Sequence, residues 1–233
     1  MQEKSKSQSN GIGTLGEKSL HAELKAWFSR PGDQIESLVD GYHIDVVRAN
    51  LLVEIQTKNF SAIKNKLASL LDTHQVLLIH PLPREKWIIR KDKDGTVLKK
   101  RKSPKYGRTE DAFREFIRIP KTLTHPNLTV WLVFVQTEEI WVNDGQGSWR
   151  RKHWSIADQK LIKVLDKVEF NDVNDYQKLI PKVLPANFTN KELSRALNIP
   201  ITLAGKMTYC LRKMNILNLA GKKGNANLYQ RNF

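Results

Sequence analysis

From Thr14 the apolar positions recur at helical spacing. Glu17, Leu20, Leu24 and Phe28 fall within a narrow arc, and Pro31-Gly32 closes the segment. Two strand-like runs follow, Tyr42 to Ala49 and Leu51 to Lys58, with Asn50 in a tight connection between them. Ser61 to Asp72 is amphipathic at helical period, and Gln75 to His80 is a short apolar run ahead of Pro81 and Pro83. The predicted order over this part is therefore helix, strand, strand, helix, strand. Residues 86–102 form two β-prone runs around Lys93-Asp94-Gly95, a hairpin signal. Thr109 to Ile119 has helical spacing, Leu128 to Val142 has strand character, and Asp144-Gly145-Gln146-Gly147-Ser148 marks a loop. Ser155 with Asp158 reads as a capping box for a helix to about Val168, and Asp172 to Leu184 reads as another. Residues 1–13 are small and polar without periodicity, which predicts a disordered tail.

Near the C-terminus, Thr189 and Glu192 form a capping box before the apolar face of Leu193, Ala196 and Leu197. A helix from about Thr202 to Met214 follows, with Leu203, Met207, Cys210, Leu211 and Met214 on its buried side. Its opposite side presents Gly205, Lys206, Thr208, Tyr209, Arg212 and Lys213. The runs Ile216 to Ala220 and Asn227 to Gln230 flank a basic tip carrying Lys222 and Lys223, which predicts a hairpin.

Charge separates these regions. The chain of 233 residues carries 39 Lys+Arg against 24 Asp+Glu, net +15. Residues 1–83 balance at 9 and 9, and residues 109–185 at 11 and 11. The surplus lies in residues 84–108, with 11 basic and 3 acidic side chains, and in residues 186–233, with 8 and 1. Lys99, Lys100, Arg101 and Lys102 make the first of these a basic arm. Two cationic surfaces on neutral bodies suit a polyanion, because each neutralised phosphate releases condensed counterions. The single cysteine excludes an internal disulfide, and no apolar stretch is long enough to span a bilayer. A cytoplasmic protein without membrane partners is the expectation.

The candidate chemistry sits on the second and third predicted elements. Alternation places Glu54, Gln56 and Lys58 on one strand face. A hairpin would bring Asp45 near Glu54. Two carboxylates and the Ile55 carbonyl offer the oxygen ligands that Mg²⁺ or Mn²⁺ prefers. Glu17 aims a third carboxylate among the apolar residues of its helix, where it needs compensation. Glu23 reads as a rim residue, and His21 and His43 as structural histidines.

The order helix, hairpin, helix, strand, with Glu17, Asp45, Glu54 and Gln56 in those places, resembles the PD-(D/E)XK nuclease superfamily over residues 14–82. The resemblance implies that Asp45 and Glu54 bind metal, that Glu17 is the helix acid, and that Gln56 stands where the catalytic lysine belongs. Glutamine can orient a water but supplies no positive charge. Lys58, on the same face, is the cation expected to replace it. Ile44 stands where the proline of the family name would be. Residues 172–233 resemble the winged helix-turn-helix family, with Thr202 to Met214 as recognition helix and Lys222 and Lys223 on the wing.

The expected fold is thus α/β, a restriction-endonuclease-like mixed sheet flanked by helices in residues 14–150, followed by a helical linker and a small winged-helix domain in 151–233. The expected function is a Mg²⁺- or Mn²⁺-dependent DNA endonuclease acting on duplex or branched DNA. Lys206, Thr208, Tyr209, Arg212, Lys213, Lys222, Lys223 and the arm at 99–102 would hold the nucleic acid. The rival expectation is a DNA-binding regulator that keeps the nuclease fold as a scaffold. Many members of the superfamily work as homodimers, but no heptad or apolar patch in this sequence marks an interface.

Overall fold

In the computed structural model, which describes residues 15–233 and side chains from residue 19 onward, α1 (Leu15–Phe28) buries Leu20, Leu24 and Phe28 along the face that its spacing predicts. The tail expected at 1–13 and the side chain of Glu17 lie outside the described residues. Three strands follow, β1 (Gln34–Val39), β2 (Tyr42–Arg48) and β3 (Leu51–Ile55), then α2 (Phe60–Leu71) and the long β4 (Gln75–Lys91). The basic arm is β5 (Val97–Lys102), paired antiparallel with the far end of β4 as the hairpin signal predicts. After a short α3 (Phe113–Phe116) come β6 (Leu128–Val142) and β7 (Ser155–Phe170). The sheet runs β1-β2-β3-β4-β6-β7, with β5 beside β4. It is mixed, since β4 is parallel to both β3 and β6 and the other pairs are antiparallel.

The sheet is covered on both faces. On one, α1 packs Leu20, Leu24 and Phe28 onto Val46, Val53, Ile55, Leu77, Ile79, Val133 and Val135. On the other, α2 and α3 pack Phe60, Leu67, Phe113 and Phe116 onto Leu52, Leu78, Leu132 and Phe134. Both faces being buried explains the near-continuous apolar runs of β4 and β6.

Three elements differ from the sequence-based expectation. β1 has no counterpart in it; this edge strand leaves its side chains mostly exposed, so no buried alternation betrays it. β4 continues through Pro81 and Pro83 instead of stopping before them. Ile79 and Pro83 both turn their carbonyls away from β6, toward Gln56 N (2.9 Å) and Gly107 N (3.0 Å). By the alternation of a strand, Pro81 and Pro83 therefore put their missing N–H groups on the side that β3 and β5 leave uncovered, so no ladder bond is sacrificed.

The third difference is the segment expected to be a helix from Ser155 to about Val168, which is β7, paired with β6 along its length. Leu161 and Val164, three residues apart, mimic helical spacing. A bulge places Ile162 as one extra residue of β7 between Leu161, opposite Thr137, and Lys163, opposite Gln136, so Leu161 and Val164 both reach the α1 face. The main sheet thus extends to Phe170, past the boundary expected near residue 150, and no helical linker begins at 151. The next helix is shorter than expected: α4 (Val173–Gln177), capped by the Asp172 carboxylate.

The C-terminal unit follows its sequence signals. It contains β8 (Asn187–Phe188), α5 (Asn190–Leu197), α6 (Ile201–Lys213), β9 (Leu217–Lys223) and β10 (Ala226–Arg231), with strand order β8-β10-β9. Thr189 and Glu192 form the capping box at α5. Phe188, Leu193, Leu203, Met207, Cys210, Leu211 and Tyr229 belong to the same continuous core as Phe60, Phe116, Phe170 and Tyr176 of the sheet unit. Among the described residues no helix is long and apolar enough to cross a membrane.

Candidate active site and nucleic-acid interface

β2 and β3 pair with Val46 opposite Val53, so the next positions along the hairpin are Asp45 and Glu54. The sheet is irregular at this point. The β1–β2 register skips Glu36 and Asp45, and Glu36 has a left-handed φ of 52°. Ile44 enters the α2-side core and Val46, two residues later, the α1-side core, so the strand rotates about Asp45. That rotation lets the Asp45 carboxylate turn toward β3 and α1. Its Oδ2 accepts the Ile55 backbone N–H at 2.8 Å and His21 Nε2 of α1 at 3.1 Å. Burial pushes the Asp45 carboxyl up, but the bonds from His21 and Ile55 outweigh it and hold the group below its usual range. The same bond raises His21.

Glu54 is 4% exposed. Burial pushes its carboxyl up to about 7, against the opposing ammonium of Lys66 on α2. Lys66 Nζ forms an ion pair with Glu54 Oε1 and also donates to the His43 carbonyl. Oε1 itself is buried without a well-directed hydrogen-bond donor. The pair therefore holds one carboxylate stabilised by donors and one held close to neutrality, which is an environment found at functional carboxylates.

Gln56 is placed differently from its expected role. Its Nε2 donates to the carbonyls of Lys58 and, at 3.5 Å, Asn59, where the chain turns through a left-handed residue into α2. Its own carbonyl accepts His80 Nδ1 at 2.7 Å, and burial keeps that imidazole below its usual pKa. Lys58 lines a cavity of about 90 Å³ with Leu20, Thr57, Pro81, Pro83 and Gln159. A larger cleft of about 710 Å³ shares Thr57, Pro81 and Pro83 and runs to Lys86, Lys105, Tyr106 and Arg114. It occupies the stretch of β4 between its pairing with β3 and its pairing with β5. Glu23, expected at the rim, accepts the Leu161 backbone N–H of β7.

Two residues of the site carry no mark in the sequence, His21 and Lys66. His21 reads as structural there, although it lies one helical turn beyond Glu17. Lys66 borders the buried positions Ile63, Leu67 and Leu70 of α2, and nothing in its own segment singles it out. Mg²⁺ is commonly held by one or two carboxylates and keeps several waters. Asp45, Glu54 and the Ile55 carbonyl are oxygen donors of that kind, with Glu54 Oε1 held by the Lys66 ammonium. Among the described residues no group of three or more His, Cys, Asp or Glu is arranged as a metal cage.

Of the expected nucleic-acid contacts, Tyr209 (43% exposed), Lys213, Lys222 and Lys223 are on the surface, and Lys206 and Arg212 are half-buried. Thr208 is a correction. It is 1% exposed, and its hydroxyl donates to Asn190 Oδ1 at 2.7 Å, tying α6 to α5, so it cannot face a groove. On the arm, Lys99 is exposed and Arg101 half-buried. Lys100 pairs with Glu138 (2.7 Å) and Lys102 with Glu85 (3.1 Å).

The chain belongs to the family described as "Domain of unknown function (DUF8091)", whose pattern matches residues 18–171. That span ends beside Phe170, at the close of the main sheet. An uncharacterized protein of Treponema pallidum (strain Nichols) is 31% identical over 227 residues, covering 94% of this chain and 87% of its own length. A match of that extent takes in the C-terminal unit as well. No solved structure matches.

Proposed function

We propose that this protein is a divalent-metal-dependent nuclease of PD-(D/E)XK type that hydrolyses phosphodiester bonds in DNA, with residues 187–233 acting as a winged helix-turn-helix that holds the substrate. The observation that carries the reading is that Asp45 and Glu54 lie directly beyond the last paired residues of β2 and β3, near enough for the Asp45 charge to bear on Glu54, with the Lys66 ammonium against Glu54. In this reading Asp45, Glu54 and the Ile55 carbonyl hold Mg²⁺ or Mn²⁺. Such an ion, when bound, lowers the pKa of an attached water and neutralises charge on the phosphorane. His21 and the Ile55 N–H fix the Asp45 carboxylate in place. Lys66, reaching in from α2, brings the positive charge that Gln56 lacks, while Lys58 lines the small cavity with Leu20, Thr57 and Gln159. α6 would enter the major groove with Tyr209, Arg212 and Lys213, while Lys222 and Lys223 on the β9–β10 hairpin reach the flanking backbone.

A second reading, a DNA-binding regulator built on a nuclease-like scaffold, is favoured by one observation. The Gln56 side chain is spent on the backbone of its own loop and does not face the carboxylates. Supercoiled plasmid incubated with the protein and Mg²⁺ or Mn²⁺ separates the two. Nicking or linearisation that chelator abolishes supports the nuclease, and binding without cleavage under every metal supports the regulator.

A further inference from the structure

A second groove lies away from the carboxylates, between the C-terminal half of α6 and the 3₁₀ turn at Thr122–Thr124 that precedes β6. Its volume is about 610 Å³, and Lys121, Thr124, Tyr209, Arg212, Lys213 and Asn215 line it. Three cations, two hydroxyls and an amide face it, and no carboxylate does. Several basic side chains elsewhere on the sheet unit are paired with carboxylates, as in Lys86–Glu139, Lys100–Glu138, Lys102–Glu85 and Arg114–Asp111. Among the described residues none of Lys121, Arg212 and Lys213 pairs with a carboxylate. Cations left uncompensated in a concave site concentrate positive potential there.

The two walls are held in fixed relation. The Arg108 guanidinium donates to the carbonyls of Leu197 (2.8 Å) and Asn198 (3.2 Å) at the end of α5, and Phe116 and Tyr176 share one core with Met207, Cys210 and Leu211 of α6. The groove is therefore built before any ligand arrives. Lys213 Nζ lies 5.8 Å from the centre of the Tyr209 ring, which keeps the aromatic and the cation side by side on the same wall.

We propose that this groove binds the sugar–phosphate backbone of the nucleic acid that α6 engages, so that Lys121 and Thr124 of the sheet unit complete the interface. The proposal rests on the nucleic-acid reading above and adds to it a contact from the unit that carries the carboxylates. Sequence charge could not reveal it, because residues 109–185 are neutral in sum. One backbone held by both units fixes the duplex relative to Asp45 and Glu54, which α6 alone, on the smaller unit, would do less firmly.

The test is a salt titration of the full-length protein on one labelled duplex. Lys121 is exposed, so Lys121→Ala leaves the fold intact. Removing one cation that neutralises a phosphate should reduce the magnitude of the log K versus log salt slope by about 0.9, which corresponds to roughly threefold less sensitivity between 50 and 200 mM salt. Lys121→Ala and Arg212→Ala should each show this reduction. Lys121→Arg should keep the wild-type slope, and Lys178→Ala, whose lysine pairs with Asp175 outside the groove, should match wild type. A wild-type slope in Lys121→Ala beside a reduced slope in Arg212→Ala would overturn the shared groove and leave α6 as the binding element. Wild-type protein that does not bind duplex at all would overturn both.

Discussion

Glu54 gives the sharpest test at the level of single residues, because its carboxyl is raised by burial from the usual 4.5 to about 7 in the folded chain. A carboxyl with a raised folded pKa contributes stability that is complete below its unfolded value and disappears as pH rises through its folded value. In chelator, wild-type stability should therefore fall relative to Glu54→Gln between about pH 4.5 and 7, by on the order of 3 kcal/mol in total. Urea unfolding of the two proteins at several pH values reads the difference directly, and parallel profiles would contradict the burial argument. Lys66→Ala should slow cleavage by roughly 10²–10³-fold, the usual effect of removing one electrostatic stabiliser, and more than Lys58→Ala does. The nearness of Asp45 and Glu54 along the β2–β3 hairpin is legible in the sequence because a tight turn sets their register, whereas the rotation of β2 about Asp45 is not. His21 and Lys66 are not, since each reaches its carboxylate across the fold, 24 and 12 positions away from it in the chain.

Among the elements, the loop that follows β5 bears on the candidate cleft. Gly107 donates its N–H to the Pro83 carbonyl, and a Cβ added there would stand 2.4 Å from that oxygen. The close neighbour is backbone and cannot swing away, so Gly107→Ala should push the loop carrying Lys105 and Tyr106 off β4 and cost about 1–3 kcal/mol, read as a lowered urea midpoint. An unchanged midpoint would mean that the loop relaxes freely. The helices α2, α5 and α6 are readable because each combines a buried face at helical period with a clean boundary. β7 is not, because its bulge at Ile162 shifts the phase of alternation into apparent helical spacing. The true length of β4 is hidden because proline usually ends a strand, and only the pairing pattern reveals which side of the strand lacks a neighbour.

At the scale of the whole molecule, charge suggests two separable parts, whereas the packing joins them. Phe188, Leu203, Met207 and Cys210 share one core with Phe116, Phe170 and Tyr176, so a chain cut near Leu184 would bare a large apolar surface on the sheet unit. Such a fragment should be destabilised, and full-length protein should unfold in one cooperative transition by calorimetry. Two resolved transitions would contradict a shared core. In the proposed nuclease that coupling would fix the basic face of α6 relative to Asp45 and Glu54. The most direct test of the nuclease account is single-turnover cleavage of one labelled duplex with Mg²⁺ or Mn²⁺ by wild type, Asp45→Asn and Glu54→Gln, with the Kd for DNA measured on the same samples. The account expects both variants to fall at least about 10³-fold in rate while the Kd stays within a few-fold of wild type; variants that cut at the wild-type rate would contradict it.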